Sequence, residues 1–208
     1  MVLKTNFEQK LEVGRNGELI LENVLQNYGW HTIPTYDYKS EYKKSPRMVG
    51  KNSFLRLPDI DASKNGKRIW IESKWKEGAS WTYSKRTFEH GIPLYLYDEY
   101  LKVEKITGDP VWIFFIEGNQ AKLTQIEMAR CIRGGKAIPP NRDNYPINIL
   151  RGQLLSSLKS TRIQFMESTN HIFFNQADLL YFGVIVARWQ VPFDIGETFT
   201  SISILEQP

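Results

Sequence analysis

Between Gly14 and Tyr28, apolar Leu21, Val24, Leu25 and Tyr28 recur at the three- and four-residue spacing of one helix face, and Gly29 closes the run. Trp30 to Thr35 reads as a first strand. Tyr36 to Lys51 is polar and reads as a loop or linker. Two apolar stretches follow, Leu57 to Ala62 and Ile69 to Lys74, separated by a polar break from Ser63 to Lys67. Asn65-Gly66 at the centre of that break is a strong signal for a two-residue hairpin turn. With those two residues as the turn, Lys64 faces Lys67, and stepping outward places Asp59 across from Glu72. A further polar stretch carries Trp81, Tyr83, Lys85 and Arg86. The pattern then predicts a helix from Pro93, which suits a first helical turn, to about Ile106, with Gly108 beyond its end. Val111 to Glu117 is a continuous apolar run, as a buried strand would be. A short helix is expected over Thr124 to Arg133, where Thr124 and Glu127 have capping-box spacing. Beyond Ile147 the chain is β-rich, with strands expected at Arg162 to Met166, His171 to Phe174, Leu179 to Val186 and Phe199 to Leu205. The expected order is helix, three strands, helix, strand, then a β-rich remainder, either extra strands on the main sheet or a small subdomain.

Facing side chains on an antiparallel pair stand about 4.5–5.5 Å apart at Cβ, so carboxylates at Asp59 and Glu72 repel. A hard cation between them removes the repulsion, and oxygen ligands suit magnesium, manganese or calcium. Strand alternation puts Lys74 on the face of Glu72. Two carboxylates and an ammonium around one point suit metal-assisted attack of water on a phosphodiester. Asp61 shares the face of Asp59 and is the rival ligand if the turn is longer than two residues.

Pro58-Asp59 followed by Glu72-Ser73-Lys74 resembles the PD-(D/E)XK nuclease superfamily, which includes type II restriction endonucleases, Holliday-junction resolvases and phage exonucleases. Glu-x-Lys alone is a weak signal, since Glu8-Gln9-Lys10 and Glu41-Tyr42-Lys43 also carry it; only the copy at Glu72 follows a β-branched run and pairs with a Pro-Asp strand. The resemblance spans about Arg15 to Gly118 and extends to Gly14-Arg15-Asn16-Gly17-Glu18, because several branches carry a Glu on the first helix. It implies an α/β restriction endonuclease-like core (helix, three-strand antiparallel meander, helix, strand) with a β-rich C-terminal elaboration. It implies catalysis by Asp59, Glu72, Lys74 and Glu18, and a Mg2+ ion, replaceable by Mn2+, held by Asp59, Glu72, Glu18 and the backbone carbonyl of Ser73. The expected activity is hydrolysis of DNA, as an endonuclease, by a chain that works as a homodimer. A catalytically idle DNA-binding or assembly protein on the same fold is the alternative. The nuclease core is expected over residues 1–135 and the β-rich extension over 136–208.

Length and composition fit this picture. The chain has 208 residues, 41% hydrophobic and 24% charged, with net charge +4. That is enough for one domain with a sizeable core. The charge is uneven: Lys and Arg outnumber Asp and Glu between Tyr36 and His90, and the remainder is net acidic. A basic excess around an acidic pair is what cleavage of a polyanion needs. Lys39, Lys43, Lys44, Arg47, Lys51, Lys76, Lys85 and Arg86 are the candidate phosphate contacts, several interleaved with tyrosines. No apolar run approaches the roughly 18–20 residues of a membrane span, and no secretory signal is visible, so an intracellular, soluble protein is expected. Cys131 is the single cysteine, which excludes an internal disulfide and cysteine-rich zinc sites. His31, His90 and His171 lack paired metal-ligand spacing, and neither Gly-x-Ser-x-Gly nor a phosphate-cradling GxxxxGK loop occurs.

Overall fold

The structure, a computed structural model, describes residues 6–35, 46–51, 54–76, 78–117, 147–166, 168–186 and 196–199. The helix expected over Thr124 to Arg133, the end of the strand expected to reach Leu205, and Lys39, Lys43 and Lys44 lie outside those residues.

Helix α1 (Asn6–Asn27) buries Ile20, Leu21, Val24 and Leu25. It ends in paired backbone bonds, Gly29 N to Gln26 O at 2.9 Å and Trp30 N to Leu25 O at 3.0 Å. Gly29 takes φ 80° between them, a conformation that costs glycine nothing. The chain then runs through β1 (His31–Pro34), the short strands β2 (Arg47–Val49) and β3 (Phe54–Arg56), and the hairpin β4 (Ile60–Lys64) and β5 (Lys67–Lys76). Asn65 and Gly66 have φ 52° and 78°, as a type I′ turn requires, and Lys64 pairs with Lys67. Next come β6 (Ser80–Thr82), β7 (Thr87–Pro93), α2 (Leu94–Thr107) and β8 (Val111–Glu117). Five further strands follow: β9 (Ile147–Leu154), β10 (Ser160–Met166), β11 (Thr169–Asn175), β12 (Leu180–Val186) and β13 (Gly196–Phe199).

The main sheet has the order β1-β4-β5-β8-β9-β12-β13. β1, β4 and β5 form the antiparallel meander, and β8 joins parallel to β5, Glu72 beside Ile113 and Lys74 beside Phe115. Every residue of β8 is buried, as expected of a strand covered on both faces. Alternation splits the core in two. Ile69, Ile71, Trp112, Phe114 and Ile116 pack beneath α1, whereas Trp70, Val111, Ile113 and Phe115 pack with Tyr100 and Val103 of α2. On that second face lies a smaller sheet of order β10-β11-β7-β6, which adds Ile92, Ile172 and Phe174 to the core.

Several elements depart from the pattern reading: α1 starts at Asn6 rather than Gly14, and β2 lies within the stretch read as a loop. The stretch carrying Trp81 to Arg86 is a hairpin, with Lys85 and Arg86 in its turn and β7 as a central strand of the second sheet. Pro93 ends β7 and caps α2 with an extended ψ of 130°, so the helix starts one residue later. In the β-rich remainder, β9, β12 and β13 extend the main sheet, while β10 and β11 join β6 and β7 in the second.

Candidate active site

β4 stops pairing at Ile60↔Ile71, one step short of Asp59. The backbone carbonyl of Asp59 turns instead to Thr35, accepting from its N–H and its hydroxyl, both at 2.9 Å. Residues 72 to 76 of β5 therefore run on beside β8 without a β4 neighbour, and the Asp59 side chain occupies the gap. Its Oδ2 accepts the backbone N–H of Ser73 at 2.9 Å. Glu72 is 1% exposed; its Oε1 accepts from the Lys74 ammonium and its Oε2 is buried with no hydrogen-bond partner. An unpartnered buried carboxylate oxygen costs on the order of 1–3 kcal/mol; Glu89 Oε1, on β7, is the other such carboxylate oxygen among the described residues.

The electrostatics agree. Burial first, then the charge of Glu72, pushes the Asp59 carboxyl well above its usual range. Glu18 lies one residue from Gly17, where a Cβ would stand 3.4 Å from the Trp75 ring, so α1 passes over the end of β5. Burial and Glu72 raise the Glu18 carboxyl to about 7, against a smaller opposing effect of Lys74. For Lys74, burial works against the charge, but Glu72 and Asp59 outweigh it and raise the ammonium. Glu18, Asp59, Glu72 and Lys74 thus share one electrostatic neighbourhood. As a direct ligand set it is smaller: among the described residues, no three His, Cys, Asp or Glu side chains cluster tightly enough to hold one ion. The ladder ends before Asp59 can pair with Glu72 as the hairpin count expects; the two carboxylates instead act on each other through their charge, with the Asp59 side chain held on the backbone N–H of Ser73.

Asp61, the rival, is committed elsewhere: it receives two hydrogen bonds from Arg68, at 2.9 and 2.7 Å. Sequence reasoning missed Tyr100, whose buried hydroxyl is raised by its burial and then by Glu72 and Asp59, with Arg56 acting in the opposite sense. Its helical spacing with Val103 marks it only as core, and nothing in the pattern announces a polar role. Of the basic residues, Arg47, Lys51 and Arg86 are exposed, and Lys85 donates to the carbonyl of Thr161 across the second sheet. Lys76 lines a cavity of about 270 Å³ with Ser80, Glu89, His90, His171 and Phe173. His90 and His171 line this one cavity, but the register pairs them with Phe174 and Pro93, so alternation turns them to opposite faces of the second sheet. His90 is itself bonded to Glu117 at 2.7 Å.

The order of the core elements, helix, antiparallel meander, helix and parallel strand, is the one expected of a restriction endonuclease-like fold. Solved structures with a similar arrangement include a Holliday junction resolvase from Archaeoglobus fulgidus, 12% identical with a TM-score of 0.43, the match covering 79% of this chain and 90% of that one. Another is D212, a nuclease from a fusselovirus, at 13% identity and TM-score 0.33, covering 87% of this chain and 90% of that one. No protein-family model matches the chain, and no curated protein does. No helix among the described residues is long and apolar enough to cross a membrane.

Proposed function

We propose that the chain is a divalent-metal-dependent endonuclease hydrolysing DNA phosphodiester bonds, working inside the cell. The observation that carries this reading is the convergence of Asp59 and Glu72 at the open end of β5, where their charges act on each other and Glu72 Oε2 is buried without a hydrogen-bond partner among the described residues. That oxygen, Asp59 and the Ser73 carbonyl are hard donors fitted to Mg2+ or Mn2+. Such an ion, when bound, supplies Lewis acidity toward a phosphoryl oxygen and a lowered pKa for water. Asp59 is fixed by the Ser73 N–H and so presents its other oxygen in a constant direction. Lys74, kept as an ammonium by its two acidic neighbours, has no lone pair with which to take a proton. Its role in this reading is to hold the substrate's negative charge and the charge that develops on the leaving oxygen. Glu18 borders the site from α1 as a carboxyl that changes charge near neutrality.

The test is cleavage of supercoiled plasmid, linear duplex, single strand and a four-way junction, each with and without magnesium. Metal-dependent cleavage of at least one DNA is expected, and equal rates on RNA would overturn the choice of DNA. Since Lys74 already neutralises one oxygen of Glu72, a second reading is an idle DNA-binding protein in which that ion pair replaces the metal. Calorimetry separates them: an active site takes up Mg2+ or Mn2+ and loses that uptake in an Asp59→Asn, Glu72→Gln variant, whereas an idle one takes up neither ion.

A further inference from the structure

The ribbon β2–β3 leads into Asp59 through Leu57 and Pro58, and its register sets Arg47 directly opposite Arg56. Opposed residues of an antiparallel pair lie on one face, and like charges there repel. Among the described residues neither guanidinium is paired with a carboxylate. Each is instead steadied by a ring, Arg47 at 4.1 Å over Phe54 and Arg56 at 5.0 Å over Tyr95, whose hydroxyl also accepts from Arg56 at 3.2 Å. The ribbon is pinned to α2 by the backbone N–H of Arg56 on Glu99 and by Leu55 in the apolar core. Alternation then turns Arg47, Val49, Phe54 and Arg56 to the opposite, outer face. Phe54 is 52% exposed and Val49 80%. Arg56 is also close enough to the acidic site to act on Tyr100.

Two adjacent cations without a carboxylate partner among the described residues call for phosphate, and an exposed aromatic beside them calls for a flat apolar partner. A duplex offers backbone phosphates with its base faces already stacked, whereas an unpaired nucleotide offers both at once. We propose, resting on the nuclease reading above, that the outer face of this ribbon binds an unpaired segment of the DNA substrate next to the cleavage site. Arg47 and Arg56 clamp consecutive phosphates, and Phe54 stacks on a base. The substrate class that follows is DNA with a single-stranded tail, flap or open branch.

Fluorescence anisotropy in EDTA, so that no cleavage occurs, compares a blunt duplex with the same duplex bearing a single-stranded tail. Wild type binds the tailed form about tenfold more tightly, the scale of one stacked base. An Arg47→Gln, Arg56→Gln variant loses that preference, and its salt slope on single strands is shallower by roughly 0.7 for each of two phosphates. The Lys, Lys variant restores the slope, and Phe54→Ala weakens the tailed form alone. All variants are checked for wild-type melting temperature, and any that melts early is replaced by its Lys or Leu counterpart. Equal wild-type binding to both DNAs, or an unchanged preference in the Gln, Gln variant, overturns the proposal. If metal-dependent cleavage persists in that event, only the ribbon's role is lost. If the ribbon binds as expected and wild type cleaves no DNA with magnesium or manganese, the nuclease reading falls and the ribbon stands.

Discussion

Glu72 and Glu117 stand on neighbouring strands, and both are almost wholly buried, at 1% and 2% exposure. Their surroundings could hardly differ more. Glu117 receives His90 Nε2 and Gln176 Nε2 on one oxygen, each at 2.7 Å, with Arg151 Nε at 3.4 Å. Burial works to raise its pKa, but these partners overcome it, and the carboxyl is held below its ordinary value. Glu72 takes Lys74 on Oε1 and is approached by the Tyr100 hydroxyl, its Oε2 lies buried without a close partner among the described residues, and it repels Asp59 and Glu18. Burial is the same at the two positions; what differs is how far the hydrogen bonds are completed, and a finished cluster has nothing left to offer a ligand.

The comparison is broken most directly by activity. Asp59→Ala, Glu72→Ala and Lys74→Ala are each expected to lower metal-dependent cleavage at least 100-fold, the scale of a lost transition-state charge contact, with the fold kept by circular dichroism. A Lys74→Ala enzyme that cleaves as fast as wild type defeats the mechanism. Glu117→Ala should act through stability instead: removing one partner of a buried charge pair costs about 3–5 kcal/mol, read as a large drop in the denaturation midpoint.

The two regions also respond to pH with opposite sign. Glu18 is raised from 4.5 to about 7, so the stability it contributes is full below about pH 4.5 and is lost as pH rises through 7 in the metal-free protein. Asp59 shifts in the same direction. Glu117 is lowered, so its contribution is present above pH 4.5 and is lost as pH falls through its folded value. Melting curves of wild type in EDTA should therefore weaken between pH 5 and 7, and magnesium should restore more stability at pH 7 than at pH 5. An EDTA melting temperature that climbs over that interval contradicts the assignment of Glu18 and Asp59 as uncompensated. A smaller effect is expected from Asp59→Asn with Glu72→Gln, which removes the repulsion and should leave the metal-free protein at least as stable as wild type, by about 1 kcal/mol. Strong destabilisation would mean that the two carboxylates have structural partners. Asp61→Asn, tied to half-exposed Arg68, should cost under about 1 kcal/mol and leave cleavage unchanged.

How far the sequence discloses such differences depends on range. The Asp59–Glu72 hairpin is legible because one local turn and a period of two settle it, and α1, α2 and β8 are legible because their apolar runs are long. β7 escapes because its buried Glu89 and His90 look like surface residues; Arg162 and Thr82 meet Glu89 on Oε2 alone, and Glu117 meets His90 from another strand. The ribbon β2–β3 escapes because three-residue strands carry almost no periodicity. Tyr100 looks like one more core aromatic until the fold sets it beside Glu72 and Asp59. The polar completion of Glu117 draws on β7, β9 and a turn after β11, so no stretch of sequence contains it.

The Asn65-Gly66 turn also sets the phase of the acidic pair. Its two residues take positive φ and start the ladder at Lys64↔Lys67, so each cross-strand pair out to Ile60↔Ile71 follows by counting. A slip of that register by one residue would turn the Asp59 carboxylate to the face under α1, away from Glu72. Buried Ile60 and Ala62 would leave the core in the same step, so the burial that holds the hairpin in register also holds the carboxylate on its face.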